Sequence, residues 1–428
     1  MSKLSNRPAK VRSMKFVFKF SLWAHALTFL SLHACGPFVG SGDIGGESTG
    51  EIDSEFQTQL GVGFNGSVDV VHVQSDGKIL VGGRFTQFKG ESVGYLVRLN
   101  STGSLDETFD IGVGADDSVF SLATDSTGNI YIGGAFSNFK GVAANCLVRV
   151  SSVGVVDSDF LAELGTGFAL TGGSAHVAEI EILSGGDILV GGEFSTLGSS
   201  AHTSFVRLNS TGQRDTSFMN QISTGPNLGV YALFESPTSG LIFLAGAFTS
   251  FSGGTKNRFQ ILNDSGTTNV AWNNGLIGGF NATVNTVVGD EAGGIWVGGS
   301  FDRISSTEIA PVVRLDSNYQ VDSDFSWAFD SEAWSGGTIH SLALQTNSKM
   351  IVGGDFNKPA LSTGASANLS RVATLTGAID ADFQTKLGTG FSGGEVRSVA
   401  LQTDGKILVG GDFDSLNGTA ASGLVRLK

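Results

Sequence analysis

One position, which recurs seven times along the chain, carries side chains of unlike chemistry. It directly follows the first Val or Ile of an apolar run, and its occupants are Asp69, Phe120, Ala178, Tyr231, Asn285, His340 and Arg397. A carboxylate, an imidazole and a guanidinium can move protons and hold an anion, and aromatic rings can stack on a ligand. A ligand selects unlike residues at equivalent positions, whereas packing does not. The alternative is that an exposed strand end varies without a role.

These positions belong to a repeat whose signature is Gly-Gly-x-Phe. Its complete copies end at Phe85, Phe136, Phe194, Phe301, Phe356 and Phe413, and a degenerate copy with Ala245 as its first residue ends at Phe248. Successive phenylalanines are 51 to 58 residues apart. A near-constant unit of this length is typical of a repeat architecture.

Each repeat is predicted to consist of short β-strands. Apolar runs are separated by turn dipeptides such as Asp76-Gly77 and Asp404-Gly405, which favour hairpins because both central turn positions need positive φ. No segment after residue 50 has a helical period. Seven units of four antiparallel strands predict an all-β, seven-bladed β-propeller. An open or differently counted arrangement is the alternative.

An Asp-x-x-Phe piece predicts how the propeller closes. Its copies begin at Asp53, Asp106, Asp157, Asp215, Asp322 and Asp380, with a degenerate copy at Asn269. The first copy precedes the first Gly-Gly-x-Phe, and the last repeat stops at Lys428 without one. We therefore expect an N-terminal strand to complete the last blade and to cover its exposed edge.

The full pattern resembles the delta-sixty repeat of bacterial β-propellers. The resemblance rests on an Asp-Gly-Lys-Ile-Leu-Val-Gly-Gly-x-Phe core, followed by Leu-Val-Arg-Leu-Asn and by Gly-x-Leu-Asp-x-x-Phe, and it covers about residues 51–428. It implies the propeller fold. It implies no particular activity, because the family has no generally established one.

The N-terminal region is predicted to be a lipoprotein signal peptide. Six basic residues precede an apolar stretch from Phe20 to Leu32, which ends in Leu-His-Ala-Cys at Cys35. This ending is similar to a bacterial lipobox, so we expect residues 1–34 to be removed and Cys35 to be acylated, for example with palmitate. The start is Met1 or Met14. An uncleaved membrane anchor is the alternative.

The remaining chain is expected to be anchored through lipid alone. Residues 35–50 form the lipidated cysteine and a Gly- and Ser-rich flexible tether, and residues 51–428 form the propeller. Gly36 is not the Asp that retains some lipoproteins at the inner membrane, so the outer membrane is expected, with the protein facing the periplasm or the cell surface. The sequence has 26 basic and 40 acidic residues, and this excess of acids argues against a nucleic-acid partner.

Two charged residues recur in nearly every repeat and are interpreted as structural. An arginine occupies one position (Arg98, Arg149, Arg207, Arg314, Arg371 and Arg426), and the Asp of Asp-x-x-Phe occupies the other. A guanidinium can bind a carboxylate and a turn carbonyl together. The fourth repeat has Ile261 and Asn269 instead, which suggests that the two positions are paired.

The sequence predicts a binding module and no catalysis. It contains neither metal-ligand spacing nor a nucleophile motif, so no metal or cofactor is expected. The binding residues are predicted to be Asp69, Phe120, Tyr231, Asn285, His340 and Arg397 at the channel mouth, with Trp327 and Trp334 in a loop of the sixth repeat. The expected partner is an envelope protein or glycan. A polysaccharide-processing enzyme using Asp69, His340 and Arg397, and a purely structural protein, are the alternatives.

Overall fold

The computed structural model describes residues 48–269, 279–290, 292–322, 337–356 and 367–428. Trp327 and Trp334, like Cys35, lie outside these ranges. The four helices within them are α1 (Ser54–Leu60), α2 (Ser158–Leu164), α3 (Thr216–Ile222) and α4 (Ala381–Leu387). None of the helices in this part of the chain is long or apolar enough to cross a membrane.

The strands of the first three repeats follow one plan. The first repeat has β1 (Val68–Val73), β2 (Ile79–Gly83), β3 (Gln87–Phe88), β4 (Glu91–Ser92) and β5 (Leu96–Leu99). The second has β6 (Val119–Thr124), β7 (Ile130–Gly134), β8 (Asn138–Phe139), β9 (Val142–Ala143) and β10 (Leu147–Val150). The third has β11 (Phe168–Ala169), β12 (His176–Ile182), β13 (Ile188–Glu193), β14 (Thr196–Leu197), β15 (Ser200–Ala201) and β16 (Phe205–Leu208).

The last four repeats correspond to this plan, with only the three main strands present in the described part of the sixth. The fourth has β17 (Val230–Glu235), β18 (Ile242–Gly246), β19 (Ser250–Phe251), β20 (Gly254–Thr255) and β21 (Phe259–Leu262). The fifth has β22 (Val284–Gly289), β23 (Ile295–Gly299), β24 (Arg303–Ile304), β25 (Thr307–Glu308) and β26 (Val312–Leu315). The sixth has β27 (Thr338–Gln345), β28 (Lys349–Asp355) and β29 (Leu369–Ala373). The seventh has β30 (Phe391–Ser392), β31 (Val396–Leu401), β32 (Ile407–Gly411), β33 (Ser415–Leu416), β34 (Thr419–Ala420) and β35 (Leu424–Leu427).

Each repeat builds one main antiparallel sheet of three strands. The first sheet has the order β1-β2-β5, and the corresponding strands of the other repeats pair in the same way. We number the main sheets one to seven. Their first strands are β1, β6, β12, β17, β22, β27 and β31; each contacts the next, and β31 contacts β1. The first strands therefore form a closed ring, and the apolar core lies between neighbouring sheets.

The glycine doublet has two different packing roles. A Cβ added at Gly133, the first glycine of sheet two, would lie 2.6 Å from Val177 Cγ1 in the first strand of sheet three. A Cβ at Gly134, the second glycine, would overlap the backbone oxygen of Ser118 in its own sheet. Side chains can shift, whereas a paired backbone cannot. This difference accounts for the degenerate copy, in which Ala245 replaces a first glycine and the second glycine is kept.

We expect Gly134→Ala to destabilise the protein much more than Gly133→Ala. Overpacking against movable side chains should cost about 1 kcal/mol at Gly133, and the backbone overlap should cost about 3 kcal/mol at Gly134. Urea unfolding of the two variants measures the difference in the free energy of unfolding. Equal losses would show that the two glycines are not distinguished in this way.

The chain reaches back to the seventh sheet through its N-terminal segment. Ile52 bridges Leu427, and the Asp53 N–H donates to the Arg426 carbonyl over 2.8 Å. Phe56 is fully buried. The N-terminal segment therefore lies beside the last sheet, as the Asp-x-x-Phe offset predicts.

The folded region begins before residue 51. Ser48 Oγ donates to the Lys428 carbonyl over 2.6 Å, and Arg371 Nη1 donates to the Ser48 carbonyl over 2.5 Å. Gly50 has a φ of +82° and lies against Phe383, as Gly103 with a φ of +94° lies against Phe56. The sequence analysis places residues 48–50 in the tether. In the structure they form, beside the last sheet, the turn that corresponds to the Ser-Thr-Gly turn ending at Gly103 in the first repeat.

The prediction of four strands in each repeat is not confirmed, because the sheets within the described residues have two or three strands. Where a fourth strand is expected, a single residue is bridged to the third strand, as in Leu99–Leu105, Val150–Val156 and Ile52–Leu427. In four repeats the Asp-x-x-Phe piece that follows is a helix whose Asp is the N-cap, as Asp53 is for α1. An Asp oxygen that accepts a bond from the backbone N–H three residues later favours a helix start over a strand.

The repeated arginines and aspartates form a structural unit that we call the latch. In sheet one, Arg98 Nε lies 2.7 Å from Asp106 Oδ2, and the guanidinium lies 4.3 Å above the Phe109 ring. Its Nη1 donates over 2.6 Å to the Ser152 carbonyl, in the turn that follows the third strand of sheet two. This latch thus joins sheet one to sheet two, and the structural interpretation of the two charged positions is confirmed.

The same latch is repeated around the ring. Arg149 reaches the Ser210 carbonyl, Arg207 that of Asp264, Arg371 that of Ser48 and Arg426 that of Ser101. Arg371 thus binds the N-terminal segment through Ser48, and Arg426 binds it through its ion pair with Asp53. Burial by itself would raise the pKa of Asp53, but hydrogen bonds and the charge of Arg426 outweigh it and hold that pKa below its usual value.

His72 gives the folded state a dependence on mildly acidic pH. It is buried in β1, and its Nε2 lies 3.0 Å from Thr124 Oγ1. Burial lowers the pKa of His72 from 6.5 to about 4. As the pH falls below 6.5 the unfolded chain takes up a proton before the folded one, so stability is complete above 6.5 and declines towards pH 4.

We expect this histidine to remove about 3 kcal/mol from the free energy of unfolding between pH 7 and pH 4. In His72→Gln, which keeps a hydrogen-bonding group beside Thr124 but does not titrate, the decline should be shallower. Urea unfolding at pH 7, 5.5 and 4 measures both slopes. If the free energy of unfolding declined with pH equally in the variant and the parent chain, His72 would not be the source of this pH dependence.

Candidate ligand-binding site

All seven residues at the variable position occupy β-bulges in the first strands of the main sheets. The register between first and second strand shifts at Asp69, Phe120, Ala178, Tyr231, Asn285, His340 and Arg397. A bulge leaves one residue out of the ladder and turns its side chain aside. The second glycine of each doublet lies against the backbone two residues before the bulge, so the repeat signature and the variable position are parts of one local structure.

Three positions of each main sheet meet at the end of the ring where the first strands begin. They are the bulge residue, the residue two before it, and the third residue of Gly-Gly-x-Phe. In sheet one these are Asp69, Ser67 and Arg84; Ser67 Oγ lies 2.8 Å from Asp69 Oδ1, and Arg84 Nε lies 3.0 Å from Asp69 Oδ2. We call the set of these positions in all seven sheets the mouth.

Sheets six, seven and one contribute a continuous ion-paired part of the mouth. Asp69 also lies 3.3 Å from Arg397 Nε, across the junction between sheets seven and one. Arg397 Nη2 lies 2.5 Å from Glu395 Oε1 and 3.3 Å from Asp412 Oδ2. Glu395 Oε2 in turn lies 3.0 Å from His340 Nε2 of sheet six. We call these six residues the charged arc: His340, Glu395, Arg397, Asp412, Asp69 and Arg84.

Sheets two, three and four contribute an aromatic part. The Phe120 ring meets the His176 ring edge-on at 5.7 Å, and Tyr231 Oη donates to Glu193 of the neighbouring sheet. Arg84 lies 5.2 Å above Phe120 and connects this part to the charged arc. We call Phe120, His176, Glu193 and Tyr231 the aromatic arc. All four are half-buried, so each retains an accessible surface.

Local environment fixes the protonation of two aromatic-arc groups. Burial, together with the hydrogen bond to Glu193 and its charge, raises the pKa of Tyr231, so the phenol remains a donor. Burial lowers the pKa of His176; Glu193 opposes this shift and Arg84 adds to it. His176 is therefore neutral at pH 7, and the arc offers uncharged rings with one carboxylate.

The remaining predicted site residues are placed differently. Asn285 Nδ2 donates to the Ile339 carbonyl over 2.9 Å, so this side chain ties sheet five to sheet six. Ala178 has no polar group. The aromatic pair predicted in the sixth repeat falls outside the described residues.

Several mouth residues are not among those chosen from the sequence. Arg84, Glu193 and Asp412 are third residues of Gly-Gly-x-Phe, and His176 and Glu395 lie two before a bulge. The signal was available, because these two positions also vary between repeats while their neighbours agree. It was missed because these positions are brought together by strand pairing and by the bulge, which turns the variable side chain out of the regular alternation of the strand.

No group of side chains in the described residues is arranged to hold a metal ion. Asp157, an Asp-x-x-Phe aspartate, is bound to a latch arginine and to the N-terminus of a helix. Cys146 is a free, buried thiol, and burial raises its pKa to about 12, so it stays protonated.

Four segments of the repeat region match a known family model. Residues 74–109, 126–160, 186–218 and 402–428 match the family model described as a domain of unknown function (DUF5122) beta-propeller. The matches support a bacterial β-propeller repeat family. They cover less than half of the chain, and they include latch arginines but none of the bulge residues.

A solved structure gives a weaker comparison. The extracellular domain assigned to a hybrid two-component system of B. thetaiotaomicron aligns with a TM-score of 0.29 and 14% identity over 80% of this chain. The aligned part is 37% of that structure, so this chain spans well under half of its length. No curated protein sequence matches the chain.

Proposed function

We propose that this protein is a lipid-anchored envelope module that binds a protein or a glycan at the mouth. In this proposal the seven main sheets are the blades of a β-propeller, and the bridged residue beyond each third strand marks the fourth strand position. One observation carries the proposal: seven equivalent bulges present unlike side chains, while the glycines and latches around them are shared. Propellers commonly use a channel mouth for binding, because parts of all blades converge there.

The direct test is retention of envelope components on immobilised protein. A chain starting at residue 36 should retain a component that the double variant His340→Ala, Arg397→Ala loses. Exposed residues outside the mouth provide the matched control, Val113→Ala with Leu375→Ala, which should retain it. Equal retention by both double variants, with both folded, would contradict binding at the mouth. A parent chain that retains nothing would favour the structural alternative.

The anchor is proposed separately. Cys35 is acylated, residues 1–34 are removed, and a flexible segment holds the folded domain at the outer membrane. Growth with radiolabelled palmitate should label the full chain, and Cys35→Ser should abolish the label and release the protein into the soluble envelope fraction. A labelled Cys35→Ser protein would contradict this assignment.

A polysaccharide-processing enzyme is the second candidate. It is favoured by the contacts that join Asp69, His340 and Arg397 through Glu395, since a carboxylate, an imidazole and a guanidinium within one network could serve one substrate. Release of reducing ends or of unsaturated products from envelope polysaccharides, lost in His340→Ala, would support it. Binding without product formation supports the binding module.

A further inference from the structure

The charged arc uses its carboxylates internally. Asp69 accepts from Arg84 and contacts Arg397, one oxygen to each. Glu395 places one oxygen on His340 and the other on Arg397. Asp412 accepts from the Glu395 backbone N–H over 2.6 Å and from Arg397. Each of the three acids is thus already paired within the arc, which reduces its attraction for a cationic ligand.

The groups of the charged arc that remain available to a ligand are mainly hydrogen-bond donors. Arg84 uses only Nε, and in the described chain its two terminal nitrogens have no hydrogen-bond partner; its side chain is 55% exposed. Arg397 Nε lies within ion-pair distance of Asp69 but without hydrogen-bond geometry, so this buried N–H lacks an acceptor among the described residues. These N–H groups suit the oxygen atoms of a ligand.

The balance of charge disfavours an acidic ligand. The mouth contains two arginines against five carboxylates, which are Asp69, Glu193, Asp355, Glu395 and Asp412. The whole sequence has a net charge of −14. A surface with an excess of negative charge repels anions. A ligand that fits both the open donors and this field is therefore rich in oxygen and uncharged.

The aromatic arc supplies the complementary surface. Phe120 and Tyr231 are half-buried rings on sheets two and four, with the His176 ring between them on sheet three. The flat C–H face of a sugar ring packs on such rings, and its hydroxyls bond to groups at the edge. Glu193 accepts the Tyr231 hydroxyl and has a second carboxylate oxygen for a ligand hydroxyl.

We propose that the mouth binds a neutral glycan, with a sugar ring on the aromatic arc and its hydroxyls bonded by Arg84 and Glu193. This inference rests on the proposed binding function and narrows it. It favours a glycan over a basic peptide because the acids of the charged arc are already paired, and over an acidic polysaccharide because the mouth is negative.

The test is titration calorimetry of the chain starting at residue 36 with laminarihexaose, maltohexaose, cellohexaose, mannohexaose, polygalacturonate and polylysine. At least one neutral hexasaccharide should bind, with an affinity that changes less than about twofold between about 50 mM and about 500 mM salt. Phe120→Ala should weaken that binding about tenfold. Arg84→Gln, which leaves the core untouched, should weaken it by a similar factor, and Val142→Ala on an exposed hairpin should not.

Three results would overturn the inference. They are binding of polylysine or polygalacturonate in preference to every neutral probe, steep salt dependence, and no binding of any neutral probe. The proposed function fails separately, when immobilised protein retains no envelope component through the mouth. A protein partner retained from the envelope together with no neutral glycan binding would remove the glycan inference and leave the binding function in place.

Discussion

A chain that starts at residue 57 should unfold at a much lower temperature than one that starts at residue 48. The longer chain keeps Ile52 beside Leu427, Asp53 paired with Arg426, and Phe56 fully buried. Truncating a buried Phe to Ala costs about 3–5 kcal/mol, and the shorter chain also leaves the Arg426 guanidinium without its carboxylate. We expect the Tm to fall by about 10 °C. Aggregation should increase, because the edge of the last sheet is uncovered.

Two further starting points serve as controls. A chain starting at residue 36 should have the same Tm as the one starting at residue 48. A chain starting at residue 51 should have a free energy of unfolding about 1–2 kcal/mol lower than the chain starting at residue 48, because it loses the Ser48 bonds to Arg371 and Lys428. Differential scanning calorimetry measures the Tm of all four chains. Equal Tm values for the starts at 48 and 57 would show that the N-terminal segment does not close the ring.

Arg426→Ile should destabilise the protein by about 3–5 kcal/mol, because it leaves the Asp53 carboxylate buried without its partner. Arg426 donates to Asp53 through Nε and Nη2 over 3.0 and 2.8 Å, and both side chains are less than a tenth exposed. The sequence contains the compensated version of this site. In the fourth repeat Ile261 replaces the arginine and Asn269 the aspartate, and the backbone bond between them is kept.

The double variant Arg426→Ile, Asp53→Asn should therefore recover most of the loss. Asn removes the buried charge and can still accept from the Phe56 N–H at the start of α1. Urea unfolding of both single variants and the double variant gives the coupling energy directly. A double variant that is as unstable as the sum of the single ones would mean that the latch does not act as a pair.

The parts of the fold that the sequence predicts are those with strong local signals. The Gly-Gly-x-Phe copies place the second strands, and the early Asp-x-x-Phe copy places the N-terminal segment beside the last sheet. The helices are not predicted, because α1 has only two buried positions, Phe56 and Leu60, and two positions cannot establish a period. Their signal was the capping aspartate, which was interpreted as part of a strand.

The candidate site is predicted only in part, for a different reason. Asp69, His340 and Arg397 are found from their variation between repeats, but the residues that join them are not. Glu395, which contacts both His340 and Arg397, precedes the strand, and Arg84, which contacts both Asp69 and Phe120, follows the glycine doublet. Their convergence depends on a β-bulge, and a bulge is set by backbone packing of the second glycine against its own sheet.

The central claim is that shared residues build the ring and unlike residues at the bulges bind the ligand. Its most direct test is one variant with alanine at six bulges, Asp69, Phe120, Tyr231, Asn285, His340 and Arg397, since Ala178 shows that alanine fits this position. We expect a Tm within about 5 °C of the parent, because the latches and glycines are unchanged, together with complete loss of the envelope component that the parent retains. Retention of that component by a folded six-alanine variant would contradict the account.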